Sequence, residues 1–141
     1  MNFVTAVAIT AVSIVSTASA DQANPVAGTW GAKAMGGVEI EIAACGDALC
    51  GTFKKFYREK PGEPLLDENN EDPALRTRPL VGVKFIDGMR GGPSEWTGGK
   101  LYYPNTGSSY DAAISLVTPD QLKLKVCLGT TCREQVWTRV T

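Results

Sequence analysis

The residues that could do chemistry are few, and their spacing narrows what that chemistry is. Four cysteines form two pairs of equal spacing, Cys45-Gly-Asp-Ala-Leu-Cys50 and Cys127-Leu-Gly-Thr-Thr-Cys132. An even count behind an export leader reads as disulfides. The spacing suggests one bridge across each of two hairpin mouths, Cys45 to Cys50 and Cys127 to Cys132, although four cysteines allow three pairings. The rival is a four-thiolate zinc site, which an oxidising compartment and the shorter spacing of zinc knuckles disfavour. Neither a metal nor a cofactor is expected. Histidine is absent, which removes Ser-His-Asp and Cys-His arrangements and the usual proton shuttle near neutral pH. Asp67 with Asp111, or Tyr102 with Lys100, would have to serve as acid and base. Nothing in their spacing singles them out, and Ser108, Ser109 and Ser115 lack a G-x-S-x-G elbow. No catalytic residue is assigned, and an enzyme is not expected.

Binding chemistry has better candidates. Trp96, Tyr102 and Tyr110 crowd into W-T-G-G-K-L-Y-Y-P-N-T-G-S-S-Y, offering flat apolar surface with polar tips. They either line the mouth of a pocket or fill a core. Arg76 and Arg78 could hold a carboxylate or phosphate bidentately at such a mouth. The alternative is that they pair with Asp67, Glu68, Glu71 or Asp72 and anchor a loop. The acidic run from Asp67 to Asp72 has the composition of a calcium loop but lacks the Gly at its sixth position and the Glu at its twelfth.

Residues 1–20 carry no charge, and the apolar run from Phe3 to Val15 ends in Ala18-Ser19-Ala20, a small-x-small cleavage pattern. This reads as an export leader cut after Ala20, with a periplasmic or secreted destination. The run is shorter than the ~20 apolar residues that a spanning helix needs. Residues 21–141 then form a single domain, with no membrane span expected. Fourteen basic and fifteen acidic residues give a net charge of −1, so no field draws nucleic acid or an anionic membrane.

The elements that must position the candidates are all strands. Val26 to Trp30 opens the first, and Val38-Glu39-Ile40-Glu41-Ile42 alternates with its apolar residues on the core face. The Cys45 to Cys50 turn leads into Gly51 to Tyr57. Arg58 to Arg78, with three prolines, six acidic residues and no periodicity, is a long loop. Pro79 to Ile86 is expected as the fourth strand, followed by an irregular D-G-M-R-G-G-P-S connection. A hairpin joins Lys100–Tyr103 to Tyr110–Val117, with Pro104 and Gly107 punctuating its turn. Leu122 to Val126 alternates as the penultimate strand, and Arg133 to Val140 is the last. The count is eight, without a helix. An all-β, eight-stranded antiparallel up-and-down barrel is therefore expected, with a two-sheet sandwich as the alternative.

Gly28-x-Trp30, Leu49-Cys50-Gly51, Asp67-x-x-Asn70, Arg76-x-Arg78-Pro79-Leu80-x-Gly82, Trp96-x-Gly98-Gly99-Lys100-x-Tyr102-x-Pro104-x-x-Gly107-x-x-Tyr110 and Trp137-x-Arg139 follow one another in order. Together they resemble domain of unknown function 2147, a family of small exported bacterial proteins. The resemblance implies a lipocalin-like or calycin-like barrel and no established reaction. Gly28-Thr29-Trp30 is also similar to the G-x-W of a lipocalin's first strand. Arg139 stands where a lipocalin packs an Arg over that Trp, which would close one barrel end. The T-D-Y motif is missing, and no C-terminal helix is expected.

An exported binding module follows as the expected function, its barrel accepting a small apolar or amphipathic ligand under the Arg58 to Arg78 loop as a lid. The alternative is an envelope structural or interaction protein with a filled barrel, acting through its loops.

Overall fold

A computed structural model describes residues 6–14 and 24–140. Residues 6–14 have no regular secondary structure and lie exposed, and the expected cleavage point after Ala20 falls outside the described residues. Eight strands follow: β1 (Gly28–Ala32), β2 (Val38–Cys45), β3 (Ala48–Phe56), β4 (Lys84–Gly91), β5 (Glu95–Tyr103), β6 (Ser108–Thr118), β7 (Gln121–Leu128) and β8 (Thr131–Arg139). Each pairs antiparallel with its neighbours in chain order, and β8 returns to β1, closing an up-and-down barrel. Among the described residues there are two short 3-10 turns and no α-helix. No helix there is long and apolar enough to cross a membrane.

The register explains which side chains fill the barrel. Cross-strand partners share a face. Trp30↔Ile40↔Phe53 and Ile114↔Leu124↔Gln135 run round the inside, and Glu41↔Thr52 and Lys125↔Glu134 round the outside. Trp30, Trp96, Trp137, Phe53, Phe85 and Met89 are fully or almost fully buried. Phe53 and Phe85 stack at 4.0 Å between ring centroids, and Phe85 meets Trp137 at 6.2 Å.

Two features of the chain differ from expectation. Pro79–Val83 belongs to the long connection, not to the fourth strand. Its backbone donors are taken by Leu65 and Phe53 (Leu80 N to Leu65 O, 2.8 Å; Gly82 N to Phe53 O, 2.8 Å). Most of the glycine-rich stretch read as irregular is paired strand instead: β4 runs to Gly91 and β5 begins at Glu95, leaving Gly92–Ser94 as the irregular connection. Glycines that adopt positive φ, such as Gly88 and Gly98, absorb the irregularities without breaking the ladder. Gly99 is required for space, because a Cβ there would meet Met89 Sδ at 2.6 Å and Asp87 O at 2.7 Å.

Both cysteine pairs are bonded locally, Cys45–Cys50 across the β2–β3 turn and Cys127–Cys132 across the β7–β8 turn. The end of the barrel that holds the start of β1 and the end of β8 is closed. The Arg139 guanidinium lies 4.3 Å from the Trp30 ring. It donates to the carbonyls of Pro25 (2.7 Å), Ala27 (3.0 Å) and Pro119 (2.8 Å), and Trp30 Nε1 donates to Val26 O at 2.9 Å.

One side chain thus ties the leading segment, the β6–β7 turn and the core indole together. Arg139→Ala is expected to lower unfolding free energy by about 2 kcal/mol, from the lost cation–π contact and charged hydrogen bonds. Urea melts should show the midpoint falling at unchanged slope, and Arg139→Lys should recover only part of the loss.

Candidate functional site

The long β3–β4 connection also leaves from the opposite, open end, where three short turns meet: the Lys33–Met35 turn, the β5–β6 turn and the β7–β8 turn. Between them opens a cavity of about 400 Å³. Parity along the strands sets its lining. Leu101 and Leu124 lie deepest, with Val126 and then Leu128 above Leu124 on β7, and Tyr103 above Leu101 on β5. Tyr110 faces Leu101 across the β5–β6 ladder, and Met35 overhangs from its turn. On β8, Gln135 stands level with Leu124 and Arg133 level with Val126. Gln135 Oε1 accepts from Trp137 Nε1 at 2.9 Å, which fixes the amide on the cavity floor.

Of the five expected ligand residues, the structure brings only Tyr110 to this cavity. Its hydroxyl lies 3.1 Å from Thr106 Oγ1 at the rim. Trp96 is 2% exposed and packed near the opposite end, opposite Gly91 and Ile114. Tyr102 is one residue off the inward parity and points outward, away from the cavity.

Tyr102, Arg78 and Arg76 meet at a different place, on the back of the β5–β6 hairpin, around the fully buried carboxylate of Asp67. Tyr102 Oη donates to Asp67 Oδ1 at 2.5 Å. Arg78 Nε and Nη2 both reach Oδ2, at 2.9 and 2.8 Å, and Asn70 Nδ2 donates to the same oxygen at 2.8 Å. Arg76 Nε donates to Asn70 O at 2.8 Å. The two arginines therefore anchor the loop, the second of the two roles considered for them. Asn69 Nδ2 also donates to the carbonyls of Pro104 and Asn105. The hairpin turn fits so tightly against Asn69 that a Cβ on Gly107 would lie 1.8 Å from its carbonyl oxygen. The long loop contributes none of the residues that line the cavity. It packs against the outside of the β5–β6 hairpin, not over the cavity where a lid would lie.

The acid and base candidates are engaged with one another in a new pairing. Lys100 and Asp111 form an exposed ion pair on the outer face of β5 and β6. Burial pushes the Asp67 carboxyl upward, but hydrogen bonds from Tyr102, Asn70 and Arg78, with the Arg78 charge, outweigh it and hold the group below the usual carboxylate range. Burial and the hydrogen bond to Asp67 push the Tyr102 phenol up from 10.0 to about 12. Tyr103, Arg133, Gln135, Leu128 and Met35 were not singled out by residue type. Counting every second residue outward from Leu101, Leu124 and Trp137 would have found all but Met35.

Removing the buried carboxylate leaves Arg78 and Tyr102 without their partner. Asp67→Ala should cost about 2–4 kcal/mol, a range that allows for the partial exposure of Arg78. It should also open residues 57–83 to limited proteolysis. The pH dependence has two arms. Asp67 has a lowered folded pKa, so its contribution is present above the ordinary carboxylate range and is lost as pH falls through its folded value. Tyr102 has a raised one, so its contribution is full below pH 10 and lost as pH rises towards about 12. Thermal melts across pH should show both losses, and Tyr102→Phe should abolish the alkaline arm.

The fold is shared with a solved structure described as "Protein HP1028 from the human pathogen Helicobacter pylori belongs to the lipocalin family". It is 19% identical, covers 82% of each chain and has a TM-score of 0.73. No curated protein matches the chain. The family model described as "Uncharacterized protein conserved in bacteria (DUF2147)" matches residues 28–139, the whole barrel. The chain belongs to that family and carries its motifs on a lipocalin-like barrel.

Proposed function

We propose that the protein binds a small apolar or amphipathic molecule in the open end of its barrel. The observation that carries this reading is the cavity itself. Its volume falls within the ~300–1,000 Å³ typical of ligand pockets, and aliphatic and tyrosine side chains supply most of its lining. Tyr110, Tyr103, Leu101 and Val126 are the residues we assign to contact. Trp96 serves the core, and Tyr102, Arg76 and Arg78 hold the loop that keeps the hairpin wall in place. Catalysis finds less support, because Asp67, Tyr102, Lys100 and Asp111 are all satisfied by one another or by the loop. Two disulfides in a small barrel fit an oxidising compartment. We read residues 1–20 as a leader that delivers residues 21–141 to the periplasm or outside the cell.

One feature favours a second role, interaction with an envelope protein. The loop is anchored at Asp67 while Glu68, Glu71 and Asp72 remain exposed. A partner that survives purification with the native chain and is lost from Glu68→Lys/Glu71→Lys would support this role.

The test of the first reading is titration with the neutral fluorophore N-phenyl-naphthylamine. A saturable rise to one equivalent is expected. Val126→Trp, which places an indole inside the cavity wall, should weaken binding about tenfold or more, ~1.4 kcal/mol, with little change in melting temperature. Tyr102→Ala should leave affinity unaltered, and Trp96→Ala should chiefly destabilise the fold, by about 3–5 kcal/mol. Absence of saturable binding, or wild-type affinity in Val126→Trp, would refute the reading.

A further inference from the structure

We infer that the cavity selects amphiphiles with a single negative charge, a carboxylate above all, and that Arg133 reads the head group. This rests on the binding reading above and adds the ligand's charge and orientation to it. Arg133 pairs across the ladder with Val126, which in turn pairs with Ala112, so its stem runs along the inner wall. It stands one inward-facing position below the rim pair Leu128↔Thr131 and, among the described residues, is the only cation that lines the cavity.

Among the described residues its guanidinium makes no ion pair, which is also true of Arg58, but Arg58 does not line the cavity. Arg78 is bound to Asp67, Arg90 to Asp47, and Arg139 and Arg76 to backbone carbonyls. Arg133 has no carboxylate or carbonyl partner among the described residues. The one acid touching the cavity, Glu134, has the opposite parity. It pairs outside with Lys125, and its Oε2 lies 3.7 Å from Lys123 Nζ. The positive charge at the mouth is therefore not neutralised from within.

The placement orders a ligand along the barrel axis. An alkyl chain would lie against Leu101, Leu124 and Val126, where it loses the most contact with water. The head group would stop near the rim, level with Arg133 and within reach of the Thr106 and Tyr110 hydroxyl pair. A guanidinium fork matches a carboxylate bidentately, and apolar walls strengthen that attraction relative to open water. One cation balances one negative charge. A doubly charged phosphate would bring a second charge that no lining residue meets.

The test compares dodecanoate, dodecanol and dodecyltrimethylammonium, all below their micelle concentrations, as displacers of N-phenyl-naphthylamine from the intact mature chain. Dodecanoate is expected to displace the probe at about tenfold lower concentration than dodecanol, with the trimethylammonium weakest. In Arg133→Gln the carboxylate-to-alcohol ratio should fall to near one, and Arg133→Lys should retain part of the preference. Melting curves of both variants would establish that they are folded. Equal displacement by the acid and the alcohol in the native chain, preference for the cation, or a preference that survives in folded Arg133→Gln would overturn the proposal while leaving the cavity as a binding site. Failure of all three amphiphiles and of the fluorophore would overturn both readings.

Discussion

β1 pairs with β2 at five positions but with β8 at only two, Trp30↔Arg139 and Gly31↔Thr138. The barrel closes through this seam, the shortest pairing in the sheet. Without it two strand edges would stand open and the buried indole of Trp30 would face water. Side chains do what the short ladder cannot. Arg139 covers the ring and gathers three carbonyls from two separate segments, while Val140 N donates to Thr29 O at 2.8 Å. Closure then fixes the diameter, and the diameter dictates how much side-chain volume the interior must receive.

That volume is distributed unevenly, and the cavity follows from the imbalance. β3 and β4 send in Phe53, Phe56 and Phe85, and the connection between them adds Leu80 and Val83, so their side of the barrel is solid. β6 and β7 send in the short Ala112 and Val126 below the open end, and the longer Tyr110, Leu128 and Arg133 line the cavity above them. An eight-stranded barrel is just wide enough either to fill or to hold one small ligand. Here one end is filled by side chains and the other leaves a cavity of about 400 Å³.

Much of this was legible in the chain. Strict alternation in β2 and β7, the equal cysteine spacings and the Pro104 to Gly107 punctuation gave the barrel, two of its turns and its central hairpin, because each depends on local chemistry. Trp30 and Arg139 gave the closed end through resemblance. The site was less legible, for a reason that Tyr102 and Tyr103 make plain. They are adjacent and nearly identical in chemistry, yet one faces the loop and the other the cavity, since side-chain direction changes with every residue along a strand. A bulge between Trp96 and Gly99 shifts the parity further upstream. The fourth strand was expected from Pro79 to Ile86 and overlaps β4 only at Lys84–Ile86; its glycine-rich half, Asp87–Gly91, was missed because its irregularity is absorbed by residues that carry no pattern. The role of Asp67 depends on partners 11 and 35 residues away in sequence, contacts that only the closed fold brings together.

The two disulfides lie at opposite ends of the barrel, Cys45–Cys50 beside the closed end and Cys127–Cys132 beside the open one. Strands of eight or nine residues separate those ends by roughly 20 Å or more, several times the reach of a disulfide. Any scrambled pairing is therefore incompatible with the finished barrel, while each correct bridge asks only that its own hairpin turn. Shape alone dictates the pairing: in the closed barrel no cysteine has a wrong partner within reach.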